Sequence, residues 1–132
     1  MSTTLERLEA QNRVVKIRGE LPLVAAALDS LGTYQQAATS CATAMIAHDG
    51  MAAAVVAALS SADLAGTARA VIARSGDTDG RLERQVLEAI TACELSEREC
   101  AAHGDHHEHC RLHAAVARDT LGTVEALLAE LS

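Results

Sequence analysis

Four long stretches of the chain carry apolar residues spaced alternately by three and four positions, the period of a helix that packs along one face. Breakers separate these stretches. Pro22 suits the first turn of a helix, Gly50 and Gly104 are typical stop residues, and Asp105 is a good N-cap. We therefore predict long helices over about 22–47, 51–75, 79–103 and 105–131.

Long helices joined by short loops predict an all-α fold, an up-down-up-down four-helix bundle. The LERLEA pattern within residues 3–17 predicts a short extra helix on the outside of this bundle. We expect residues 1–20 to form a polar, helical N-terminal extension and residues 21–132 to form the bundle.

The same spacing predicts which residues face inward, and all four cysteines fall on these faces. The inward positions are Val24, Ala27, Leu31, Tyr34, Ala38, Cys41, Met45 and His48 on the first long helix, Leu82, Val86, Ala89, Cys93, Ser96, Cys100 and His103 on the third, and His106, Cys110, His113, Ala117, Thr120, Val124, Leu127 and Leu131 on the fourth. On the second long helix, a face through Ser61, Ala65, Ala68 and Ile72 competes with one through Leu64 and Val71.

The bundle topology brings several of these side chains to one pole, where the first and third long helices end and the fourth begins. With about 1.5 Å of rise per residue, Met45, Cys100, His103 and Cys110 lie within about two turns of that pole. Cys41 and His113 are slightly deeper, and Cys93 is deeper still. This convergence predicts a metal site.

Each of these residues also has a structural interpretation. Buried Cys93 is as well explained as a small hydrophobic side chain, and Met45 as core filler. His107 and its neighbours at the start of the fourth long helix are consistent with solvated surface, and His48 with a helix cap. The metal hypothesis depends on the joint placement of the cysteines, methionine and histidines on converging faces.

Charge and hydropathy argue against two classes of partner, nucleic acids and membranes. The net charge of −7 would repel a phosphate backbone, so we expect no nucleic-acid partner. The longest apolar run, MAAAVVAAL, is too short to cross a bilayer, and the polar N-terminus shows no signal-peptide pattern, so we expect no membrane association. A cytoplasmic protein is predicted, in which cysteines are more often reduced thiols or metal ligands than disulfides.

Two metals suit the predicted ligands. Cu(I) favours thiolate and thioether sulfur and accepts imidazole, which Cys41, Met45, Cys100, Cys110 and His113 would supply. Zinc is the alternative, because Cys100, His103, Cys110 and His113 offer two sulfurs and two nitrogens for a tetrahedral site.

The stretch ACELSERECAAHGDHHEHCRLHA resembles the last helical hairpin of the four-helix-bundle copper storage proteins. CATAM is similar to the Cys-x-x-x-Cys end of their first helix, and ARAVIARSG to the end of their second. The resemblance covers residues 24–128 and is most specific over 93–113. It implies a bundle that holds Cu(I) and assembles as a homo-oligomer.

Residue by residue, the resemblance implies thiolate ligands at Cys41, Cys93, Cys100 and Cys110, and turn histidines at His103 and His109. Met45 and His113 replace family cysteines with side chains that can still bind metal. Other interior positions where the family tends to place cysteine carry Leu31, Tyr34, Ala38, Ser61, Ala65, Ala89, Ser96, Ala117, Thr120 and Val124. We therefore expect the chain to bind one or a few Cu(I) ions at this pole, the mouth of the bundle, rather than to store many ions along its interior.

Two classes of function remain open. The first is a copper-binding protein for buffering, delivery or sensing, whose partners are the metal ion and a metallochaperone. The second is a copper-dependent oxidoreductase acting on a small-molecule substrate. Tyr34 is its candidate catalytic residue, because it is the only aromatic side chain of the chain and lies about two turns below Cys41.

Overall fold

In the computed structural model, which describes residues 2–48, 50–74, 80–103 and 107–131 and only the backbone of Arg81, the chain forms five helices. They are α1 (Thr4–Asn12), α2 (Leu21–Met45), α3 (Ala52–Ala73), α4 (Arg81–Ala101) and α5 (Glu108–Leu131). α2 packs against α3 and α5, and α4 packs against the same two helices, which closes a four-helix bundle. The predicted all-α bundle with a short N-terminal helix is confirmed.

The ends of α2 agree with the local sequence signals. Pro22 lies in the first turn, where its missing N–H breaks no hydrogen bond. α2 ends at Met45, two residues before the predicted end, and the His48 N–H donates to the Met45 carbonyl at 2.9 Å in the turn that follows. Gly50 then takes a φ of +81°, a conformation that favours glycine. Gly104, Asp105 and His106 lie outside the described residues.

α1 packs on the outside of the bundle, as predicted, near the pole opposite the cysteine-bearing helix ends. A capping box begins it, in which Thr3 and Glu6 bond to each other's backbone N–H. The Leu8 side chain is buried in the bundle core, and Gln11 Nε2 donates to the Ala73 carbonyl at 2.9 Å. The domain boundary near residue 20 stays a prediction.

α3 faces the core with small side chains. Ser61, Ala65 and Ala68 are buried, whereas Leu64 is 39% exposed. The face through Ser61 is therefore the inward one. Small inward residues let α3 approach α2 and α4 closely, because helix separation depends on the side chains at the contact.

α3 is also, among the described helices, the one long and apolar enough to cross a membrane by length and composition. Its mean hydropathy over 18 residues is 1.4. The helix that carries the core of a soluble protein passes the same test, and the inward face of α3 packs in the bundle.

The buried side chains form two clusters. The larger fills the bundle from the α1 end to its middle and includes Leu31, Tyr34 and Cys93. The smaller lies at the opposite pole and combines sulfur with small aliphatic groups. Its members are Cys41, Ala42, Met45, Met51, Ala54, Ala58, Cys100, Cys110 and Ala114.

Candidate metal centre

Three thiols from three helices meet in the smaller cluster. Cys41 comes from the last turns of α2, Cys100 from the end of α4 and Cys110 from the first turn of α5. All three side chains are buried, and their cysteines are free thiols. The antiparallel course of the chain brings these helix ends to one pole, where the sequence placed them.

The thiols interact with one another. Interaction with the Cys41 side chain lowers the pKa of Cys100, and interaction with the Cys100 side chain raises the pKa of Cys41. Burial raises the pKa of Cys110. The Cys41–Cys100 pair therefore favours one thiolate, and a thiolate is the form of cysteine that binds metal.

His109 lies against this thiol group. Its Nδ1 is 3.4 Å from the Cys41 sulfur and 3.5 Å from the Cys110 sulfur. The ligand atoms of Cys41, His109 and Cys110 all lie within 4.8 Å of one another, close enough to share one ion.

Two thioethers line the same cluster. Met45 is buried one turn beyond Cys41, at the position predicted from α2. Met51 precedes α3 and is also buried there, although the helical pattern did not single it out. Thiolates and thioethers in a dry, aliphatic surrounding fit a soft ion such as Cu(I) and suit hard, oxygen-seeking ions poorly.

Cys93 and Tyr34 lie in the other cluster, deeper in the bundle. The Tyr34 hydroxyl donates to the Ala92 carbonyl at 3.4 Å, and the Ser61 and Ser96 side chains partly offset the effect of burial on its pKa. Burial raises the pKa of Tyr34 and raises that of Cys93 to about 12. The structure thus does not bring Cys93 together with the other three thiols.

His113 is fully buried next to this layer. Its Nε2 hydrogen-bonds the Ser96 hydroxyl, and its ring centroid is 5.3 Å from that of Tyr34. Nδ1 has no hydrogen-bond partner among the described residues. Burial lowers the pKa of His113 to about 4, so the ring is neutral at physiological pH and keeps a lone pair for metal.

His103 is half-buried in the turn after α4. Among the described residues, the ligand groups close enough to share an ion do not combine His103 with Cys100, Cys110 and His113. By the same measure Cys100 is not grouped with Cys41 and Cys110, so this distance does not decide between the zinc set and the three thiols.

Three histidines form a second group that the sequence pattern did not predict. One ring nitrogen from each of His48, His107 and His109 lies within 4.8 Å of the other two. The sequence pattern alone suits His48 as a helix cap and His107 as solvated surface. Both lie in connecting segments, where helical spacing does not fix the direction of a side chain.

The sequence profile of the copper storage protein family matches residues 23–128. Among solved structures, the copper storage protein Ccsp from Streptomyces lividans, loaded with 10 copper equivalents, is similar with a TM-score of 0.85 and 24% identity, covering 94% of this chain and 99% of that chain. A histidine-to-alanine mutant of the same Ccsp gives a TM-score of 0.81 and 25% identity, covering 86% of this chain and 98% of that chain. A cytosolic copper storage protein from Streptomyces lividans, with five coppers, is similar with a TM-score of 0.80 and 27% identity. The match covers 84% of this chain and 96% of that chain.

A search of curated proteins gave no significant match. The family match spans most of the chain, from the first turn of α2 to the last turns of α5. The protein therefore belongs to the copper storage protein family.

Proposed function

We propose that this protein holds one or a few Cu(I) ions in the thiol group of Cys41, Cys100 and Cys110, for buffering, delivery or sensing of copper in the cytoplasm. The observation that carries the proposal is the convergence of these three buried thiols at one pole. Membership of the copper storage protein family supports copper as the metal. Thiolate sulfur is the ligand that favours the Cu(I) state.

Local charge and hydrogen bonding support the same site. The pKa of Cys100 is lowered, because the Cys41 and Ser96 side chains stabilise its thiolate. Metal binding then displaces the protons of the remaining thiols. His109 can donate its Nδ1 proton to the Cys41 or Cys110 sulfur, and Met45 and Met51 exclude water around the ion.

Low capacity is expected from the rest of the interior. The positions at which the family tends to place cysteine are buried, so they line the bundle without offering thiols. They are Leu31, Tyr34, Ala38, Ser61, Ala65, Ala89, Ser96, Ala117, Thr120 and Val124. The Streptomyces lividans proteins are described as loaded with ten copper equivalents and with five coppers, and we expect this chain to hold only a few.

A cytoplasmic location suits these reduced thiols, and one similar protein is described as cytosolic. Delivery would require a metallochaperone or another thiol-bearing partner that exchanges Cu(I) at the mouth. The homo-oligomer and the enzymatic alternative with Tyr34 remain predictions, as does zinc as the competing metal.

The test is an anaerobic Cu(I) titration against a coloured Cu(I) chelator. The wild-type chain should retain a few ions, and the double variant Cys100→Ser/Cys110→Ser should lose tight binding while its far-UV circular dichroism stays helical. Cys93→Ser is the matched control, since it removes a buried thiol outside the group and should keep the wild-type affinity. Tight binding in the double variant would overturn the proposal, and so would uptake of the ten equivalents held by the Streptomyces protein.

A further inference from the structure

The mouth of the bundle carries a group of three imidazoles on the solvent side of the thiols. His48 follows the end of α2, His107 directly precedes α5, and His109 lies in the first turn of α5. Their ring centroids are 4.5 Å apart for His48 and His107, 5.4 Å for His107 and His109, and 6.0 Å for His48 and His109. These rings come from two chain segments far apart in sequence, so the fold assembles them.

The two nitrogens of His109 have different surroundings. Nδ1 contacts the sulfurs of Cys41 and Cys110 at 3.4 and 3.5 Å. Nε2 is buried and has no hydrogen-bond partner in the described part of the chain. If Nδ1 carries the proton and donates it to sulfur, the lone pair of the neutral ring is on Nε2. Metal-binding histidines typically have this arrangement, with the second ring nitrogen fixed by a hydrogen bond.

We propose that His48, His107 and His109 form a separate site for a divalent transition-metal ion such as Zn²⁺, with Nε2 as the ligand atom of His109. Three neutral imidazoles and a water molecule complete a tetrahedral zinc shell. His48 is exposed, so solvent reaches the group and can supply the fourth ligand. The site contains no sulfur ligand, which distinguishes it chemically from the Cu(I) site, although His109 contacts both.

The main test uses Co²⁺ as an optical substitute for Zn²⁺, because thiolate ligation gives an intense sulfur-to-cobalt absorption that imidazole ligation lacks. In the Cys100→Ser/Cys110→Ser chain, one Co²⁺ should bind without that absorption, and Zn²⁺ should displace it. Adding His48→Ala should weaken this binding by about tenfold or more. His103→Ala is the matched control, since it removes a histidine of the same pole outside the group and should leave the affinity unchanged.

A second measurement uses the chain with all its thiols. The Cu(I)-loaded wild-type protein should bind one further Zn²⁺, and His48→Ala should lose that ion while keeping its Cu(I). Equal Zn²⁺ affinity with and without His48 would overturn the proposal, as would a thiolate absorption that accompanies the ion, or a site that accepts Cu(I) but not Zn²⁺. Failure of the copper proposal would instead appear in the Cu(I) titration, which His48→Ala leaves unchanged.

Discussion

His113 is a neutral imidazole buried inside the bundle. We expect low pH to destabilise the folded protein, because this ring takes up a proton more readily in the unfolded chain. The side chain is 1% exposed, its Nε2 bonds to the Ser96 hydroxyl, and the Tyr34 ring lies beside it. Burial lowers the pKa of His113 from 6.5 to about 4, because the imidazolium cannot be solvated there. In the unfolded chain the ring returns to its ordinary pKa, so the unfolded state binds the proton more tightly.

The sign and size of the effect follow from this difference. A group whose pKa is lower in the folded state leaves stability unaffected above the unfolded pKa and reduces it as the pH falls towards the folded pKa. Each pH unit between the two pKa values corresponds to about 1.4 kcal/mol. The free energy of unfolding should therefore fall by about 2 kcal/mol between pH 7 and pH 5, and by about 3 kcal/mol once the pH is below 4.

The assay is urea unfolding of the metal-free protein, followed by circular dichroism at pH 7 and at pH 5. His113→Leu has no group to titrate at this position, so it should lose about 2 kcal/mol less than the wild type between these pH values. The carboxylates titrate in both chains and cancel in the comparison. Ser96→Ala keeps the buried imidazole and should keep the wild-type pH dependence. An equal pH dependence in wild type and His113→Leu would refute the reasoning.

Two further substitutions should separate packing from metal binding. Leu31→Ala removes a fully buried side chain from the larger cluster and should lower the free energy of unfolding, measured in urea, by about 2–5 kcal/mol. The Cu(I) affinity should be unchanged. A loss below about 1 kcal/mol would mean that the core does not depend on this contact. Tyr34→Phe removes the hydrogen bond to the Ala92 carbonyl and should cost about 1 kcal/mol, also without changing Cu(I) affinity in the chelator assay. A large drop in Cu(I) affinity in this variant would show instead that the hydroxyl acts on the metal.

The inward faces of α2, α4 and α5 could be predicted because each alternates clearly between apolar and polar positions. Cys41, Cys100 and Cys110 then converge by topology alone, since antiparallel helices joined by short loops must bring these ends together. α3 was ambiguous for a physical reason. Its sequence is apolar nearly all round, so periodicity does not distinguish the face with Ser61 from the neighbouring face with Leu64.

The histidine group could not be predicted in the same way. His48 and His107 lie in connecting segments, and their ring directions depend on turn geometry rather than on the 3.6-residue period. Met51 was missed for the same reason, because it precedes α3. The hydrogen bond between Ser96 and His113 joins two helices, and only the rotation of each helix about its axis decides whether such side chains meet.

The absence of any cysteine, histidine or methionine from the sequence of α3 has a mechanical consequence. An ion held by Cys41, Cys100 and Cys110 would join the ends of three helices. α3 would be held without a metal bond, by side-chain packing and by the Gln11 hydrogen bond to the Ala73 carbonyl. Metal loading would therefore stabilise the bundle unevenly. Amide protons near the bound ion should exchange most slowly, and those of α3 should be less protected. Outward movement of α3 would break no metal–sulfur bond, so an ion bound by these thiols would become accessible to a thiol of a receiving protein without unfolding of the ligand helices.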